Sequence, residues 1–146
     1  MSRILHPTDF SPASRAAFAK AVQLAKKDRS ELVIAHVLPP VLAASDGFSF
    51  VTPQVYEQIE QGNRQHGKKQ LDRLVAKARK AGVRARGLLL EGLVHERIVR
   101  TARAQHVDMI VIGTHGRTGL TRLVLGSVAS RVLSHAKCPV LTVGGR

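Results

Sequence analysis

Aromatic residues are nearly missing from this chain: it has no tryptophan, one tyrosine (Tyr56) and an aromatic content of 3%. The core must therefore be aliphatic, and little is available for an aromatic platform on which single-stranded bases could stack. A single cysteine, Cys138, excludes an intrachain disulfide and fits a reducing compartment. No apolar run approaches the ~20 residues of a membrane helix, and the stretch from Met1 to Asp9 is too short for a signal peptide. The expectation is a soluble, cytoplasmic protein with no membrane partner. Carboxylates also run out. After Asp108 there is no Asp or Glu, while Arg117, Arg122, Arg131, Lys137 and Arg146 all follow. That carboxylate-free quarter suits a polyphosphate neighbour.

What remains is ordinary for a globular chain. Its 146 residues are 44% hydrophobic, which fits one domain spanning residues 1–146. No repeat, low-complexity tract or linker interrupts it. The net charge of +13 favours anionic partners.

Periodicity then orders the elements. Ile4 and Leu5 open a short strand ending near Pro7. Ser11-Pro12 reads as a helix start, an N-cap followed by proline at the first helical position. Ala17, Ala21 and Leu24 continue one helical stripe. Leu32 to Val37 is an apolar run of the kind buried on both faces of a parallel sheet. Val41 to Thr52 has no period and reads as a loop. A long helix follows from Pro53 to Ala81, with Gly62 and Gly67 each costing ~1 kcal/mol relative to alanine, and Gly82 as its stop. Val83 to Leu90 is a strand, and Val94, Ile98 and Ala102 mark a helix. Met109 to Ile112 is a strand, residues 127–134 a helix and Val140 to Val143 a last strand. Strict β-α alternation predicts a mostly parallel sheet with helices on both faces and right-handed crossovers.

Ligands of such sheets sit beyond the C-terminal strand ends, where strand order reverses. Two ends carry unusual residues: Asp9 after the first strand and Gly113 after the fourth. From Gly113 the chain reads Gly-Thr-His-Gly-Arg-Thr-Gly-Leu-Thr-Arg-Leu-Val-Leu-Gly-Ser to Ser127. Glycines there would permit positive φ and close approach of a phosphate. A helix start at Gly126-Ser127 offers free N–H groups and the positive dipole end, and Arg117 and Arg122 could add charge-assisted contacts. A plain glycine-rich crossover loop is the competing reading. The pattern is neither a Walker A loop nor the dinucleotide fingerprint.

The spacing Gly113-x2-Gly116-x9-Gly126-Ser127 resembles the nucleotide-binding signature of the universal stress protein family. Pro7-Thr8-Asp9-Phe10-Ser11, His36-Val37, the run from Asp108 to Gly113 and Cys138-Pro139-Val140-Leu141 also resemble that family, so the likeness spans the whole chain. It implies a Rossmann-like three-layer sandwich of the adenine nucleotide alpha hydrolase type, with five parallel strands in the order 3-2-1-4-5. It also implies binding of ATP, with ADP or AMP as alternatives. Asp9 and Val37 would contact adenine, with Pro7 and Thr8 beside them. Gly113 and its neighbours, His115 included, would line the ribose. Gly116, Arg117, Gly126, Ser127, Val128 and Ala129 would surround the phosphates. Position 129 often holds Ser or Thr in ATP-binding relatives, and Ala129 lacks that hydroxyl.

Other readings are blander. Asp9 could merely cap the helix near Ser11, and His115 reads as a solvated loop residue rather than a catalytic one. His95-Glu96 lacks a second histidine where Val99 stands, so no protein metal site is expected. Cys138 reads as a packed thiol, and the Arg and Lys residues from Arg64 to Lys80 as a solvated helix face. The loop has no lysine and no carboxylate follows it, so hydrolysis would be slow at best. Mg²⁺ would be held by phosphates and water, with Asp9 the nearest carboxylate. The last strand, Val140 to Val143, lies at the sheet edge, and the resemblance implies pairing with its twin in a homodimer. The alternative function is a nucleotide-free protein that binds partners or nucleic acid through its basic surface.

Overall fold

The computed structural model describes residues 2–40, 52–115 and 125–144. Five strands form one parallel sheet in the order β3-β2-β1-β4-β5. They are β1 (Arg3–Pro7), β2 (Glu31–Leu38), β3 (Ala85–Glu91), β4 (Met109–Gly113) and β5 (Val140–Val143). The helices between them are α1 (Pro12–Asp28), α2 (Pro53–Lys80), α3 (Val94–Ala104) and α4 (Ser127–His135). The expected strand order and alternation are both present.

Alternation along the strands divides the core in two. Ile4, Leu32 and Ile34 face α1 and α2, meeting Ala17, Phe18, Ala21, Leu71 and Val75. Leu5, Val33, Ala35 and Ile110 face α3 and α4, meeting Ile98, Ala102, Ala129 and Val132. Because β2 is covered on both sides, its burial is continuous from Leu32 to Val37, which is why its sequence is a run and not an alternation. Burial of one such side chain contributes about 1.5–3 kcal/mol.

Local chemistry sets the ends. Ser11 caps α1, its hydroxyl accepting from Ser14 N at 3.2 Å, with Pro12 in the first turn. Ser11→Ala should lower stability by ~1 kcal/mol; urea unfolding of both proteins measures it, and an unchanged midpoint would contradict the cap. Thr52 caps α2 through Val55 N; residues 41–51, expected to be a loop, lie outside the described residues.

At the other end of α2, Gly82 N donates to Arg79 O and Val83 N to Ala78 O, with Gly82 at φ 90°. This is a Schellman closure. It uses Val83 as a buried plug, so β3 begins at Ala85, two residues later than the periodicity suggested. Gly67, expected to weaken α2, is buried. A Cβ there would lie 3.2 Å from the His36 ring and 3.4 Å from Leu89, so its smallness lets α2 approach the upper ends of β2 and β3.

Candidate functional site

Strand order reverses between β1 and β4, which pair through Ile4↔Met109 and Leu5↔Ile110. Beyond their C-terminal ends opens a cavity of ≈ 940 Å³. On one side it is walled by Pro7, Thr8, Asp9 and Val37. On the other stand Gly113, Thr114, His115 and the start of α4, from Gly126 to Ala129. Ten of the residues singled out from the sequence thus share one cavity. Gly116 and Arg117 lie outside the described residues.

Asp9 is held by the chain that follows it. Its Oδ1 accepts from Ser11 N at 2.9 Å and from Ser14 Oγ at 2.8 Å. It therefore contributes to the start of α1, as the capping alternative had it, while still lining the cavity. Ser14 escaped the sequence reading because a serine in a first helical turn reads as surface. Phe10, next to Asp9, has φ 64°, a left-handed conformation that is uncommon for a bulky residue and concentrates at functional sites. Its ring lies 4.4 Å from that of His36. His36 is itself buried, and its Nδ1 donates to Thr8 O at 2.7 Å. Rim and strand end are tied together in this way.

The opposite wall rests on two close backbone approaches. A Cβ on Gly113 would lie 3.0 Å from Ala13 O and 3.1 Å from Ala13 C, so only glycine lets β4 end against the first turn of α1. Gly126 N donates to Thr114 O at 2.6 Å, and a Cβ on Gly126 would come within 2.8 Å of that oxygen. The expectation that these glycines supply positive φ is corrected here. Gly126 has φ −58°, and only Gly82 and Gly92 among the described glycines are left-handed. Their role is proximity.

The turn they create aims the N-terminus of α4 at the cavity. Among the described residues no side chain caps this helix, and Ser127, Val128 and Ala129, whose first-turn N–H groups have no partner within the helix, line the cavity at the positive end of the dipole. His115 is half-buried, its Nδ1 2.9 Å from Thr114 Oγ1. Beneath the floor, His6 is fully buried. Its Nδ1 donates to Val111 O at 2.9 Å, and its Nε2 has no hydrogen-bond partner among the described residues. Burial lowers its pKa from 6.5 to about 4, so it is neutral at pH 7.

Away from the cleft, burial pushes the Cys138 thiol above its ordinary value, as a packed cysteine requires. Among the described residues no group of three or more His, Cys, Asp or Glu could hold a metal ion. No described helix is long and apolar enough to cross a membrane.

Comparison with known proteins agrees with this architecture. The family model for the Universal stress protein family matches residues 1–144. Universal stress protein MJ0531 of Methanocaldococcus jannaschii is 35% identical over 97% of this chain and 81% of its own. Universal stress protein YxiE of Bacillus subtilis is 32% identical over 97% and 98%. The solved structure of MJ0577, also from M. jannaschii, superposes with a TM-score of 0.86 at 26% identity, covering 99% of this chain and 96% of that one. On its sequence and its fold alike, this chain belongs to the universal stress protein family.

Proposed function

We propose that the cleft binds an adenine nucleotide, ATP foremost, and that the chain works as a dimeric regulatory module in which occupancy, not turnover, is the signal. One observation carries this reading: the N-terminus of α4, with no side-chain cap among the described residues, lines the crevice between β1 and β4, opposite Asp9. First-turn amides and a positive dipole end suit phosphate oxygens. In the roles the family resemblance implies, Asp9 and Val37 take the adenine end and Gly113 to His115 the ribose. Gly116, Ser127, Val128 and Ala129 would hold the phosphates, with Arg117 adding a charge-assisted contact. Among proteins of the same fold, one from Arabidopsis thaliana has been solved with AMP bound and one from Archaeoglobus fulgidus with dAMP, which supports a nucleotide as ligand.

Mg²⁺ would be held by phosphate oxygens and water, since Asp9 Oδ1 already accepts two hydrogen bonds. With no lysine in the loop and no carboxylate beyond it, hydrolysis would be slow at best. The edge strand β5, partly exposed along its length, would pair with its twin across a two-fold axis. Calorimetric titration with Mg-ATP should show one site per chain, with turnover below ~1 s⁻¹ and a solution mass twice 15.8 kDa. No heat of binding at millimolar Mg-ATP would refute the nucleotide reading, and a monomer at micromolar concentration would refute the dimer.

A further inference from the structure

Part of the surplus of positive charge gathers at the end of the sheet remote from the cleft. In a parallel α/β sheet every strand begins and every helix ends at the same pole. Here α1 ends in Lys26, Lys27 and its C-cap Arg29, and α2 ends in Lys77, Arg79 and Lys80. Both helices cover the same face, for Ala21 and Val75 belong to one core cluster. Arg3 opens β1, and Arg84 and Arg86 flank the first residue of β3 on the same side of the molecule. Asp28 and Glu31 are the carboxylates of this corner, with Asp108 beside Arg3.

Helix ends explain only part of this. A cation in a last turn is favourable by about 0.3–1 kcal/mol, which accounts for the lysines but not for arginines at strand starts. Those arginines are held in position. Glu31 Oε1 accepts from Arg3 Nε at 3.0 Å and from Arg86 Nε at 3.2 Å. Arg3 Nη1 also donates to Gln105 O, and Arg86 Nη2 to Gln105 Oε1. One carboxylate thus fixes two guanidiniums and leaves the group positive. Arg79, Arg84 and Arg86, with Glu31 among them, border a shallow hollow of ≈ 570 Å³. Among the described residues the exposed large apolar side chains, Val55, Ile59, Leu93 and Leu133, lie on neither α1, the second half of α2 nor the adjoining strand ends. The corner has charge but no wedge to enter a lipid layer.

We propose that this corner is a docking surface for duplex nucleic acid, gripping the phosphate backbone without reading bases. A duplex offers one negative charge per ~1.7 Å of axis, a density suited to a fixed pair of arginines flanked by exposed lysines. Scarce aromatics are no handicap, since stacked bases are not unstacked. The surface is separate from the cleft, so the two can be occupied independently.

Fluorescence anisotropy of the full chain with a short labelled duplex of arbitrary sequence tests this, in parallel DNA and RNA arms that tell which duplex is held. The wild type should bind at least one with a Kd on the order of 10⁻⁵ M at physiological salt, weakening steeply as salt rises. Charge reversal at Lys27, Lys80 and Arg84 together should weaken binding at least ~10-fold and make the log–log salt slope shallower by ~2. Reversal of Arg15, Lys20 and Arg100, the same change in net charge elsewhere, should leave both nearly unchanged, with circular dichroism confirming that both variants fold. Saturating Mg-ATP should not displace the duplex, so failure of the cleft reading and failure of this one are told apart. Equal losses in the two triple variants, or binding to phosphatidylserine vesicles but to neither duplex, would overturn the proposal.

Discussion

Replacing Gly126 with alanine is expected to weaken Mg-ATP binding about 100-fold, or ~2.7 kcal/mol. The backbone at Gly126 lies at φ −58°, so alanine is not disfavoured by conformation. The obstacle is the Thr114 carbonyl, 2.8 Å from where the Cβ would sit and 2.6 Å from the Gly126 nitrogen that donates to it. Both groups are main chain, and no rotamer relieves the contact. The first turn of α4 has to move away from the end of β4, carrying the amides of Ser127, Val128 and Ala129 out of alignment with the phosphates. A hydrogen bond to a charged group is worth about 1.5–3 kcal/mol, so misplacing one or two of them gives the expected loss. Gly62→Ala is the control. Nothing lies within 4 Å of a Cβ there; helix propensity should raise stability by up to ~1 kcal/mol and leave the titration unchanged. If Gly126→Ala binds Mg-ATP as tightly as the wild type, the α4 N-terminus is not the phosphate cradle.

The contrast between these two glycines marks the limit of what the sequence disclosed. Strands were readable because parallel strands buried on both faces appear as runs, as from Leu32 to Val37 and from Met109 to Ile112. The start of α1 was readable from Ser11-Pro12 and the end of α2 from Gly82. Once alternation established a parallel sheet, the switch-point rule placed Asp9 and Gly113 beside one crevice. The reasons for individual residues were another matter, because they lie in contacts between distant segments. Gly113 is required by the backbone of Ala13, 100 residues earlier in the chain (113 − 13), and Gly126 by that of Thr114. Ser14 anchors Asp9 from within a helix. Phe10 adopts a left-handed backbone that no local pattern announces. The grouping of Arg3, Arg84 and Arg86 around Glu31 needed strand register, since a solvated face was all that the cations from Arg64 to Lys80 suggested on their own.

His6 was also opaque in the sequence, and it should govern how the protein responds to acid. A histidine in a short apolar strand could have faced water; here it is fully buried against Phe18, with ring centroids 5.8 Å apart. Burial is the main cause that lowers its pKa to about 4, against the opposing effects of the Val111 carbonyl and the Asp9 charge. In the unfolded chain it returns to its ordinary value of 6.5. Between these two values the unfolded state binds a proton that the folded state refuses, so stability falls as pH falls. The contribution is complete above pH 6.5 and is lost progressively down to about pH 4. Over that window the loss from this one group is about 3 kcal/mol, a large share of the 5–15 kcal/mol typical of a domain. Urea unfolding at pH 7.5 and at successive steps toward pH 4, for the wild type and for His6→Leu, isolates it. The two proteins differ only at His6, so the difference between the two curves belongs to that residue. The wild type should lose ~3 kcal/mol more than the variant across the window. Parallel curves would mean that the buried ring takes up its proton in the folded protein as readily as in the unfolded chain, and so is not held neutral by burial.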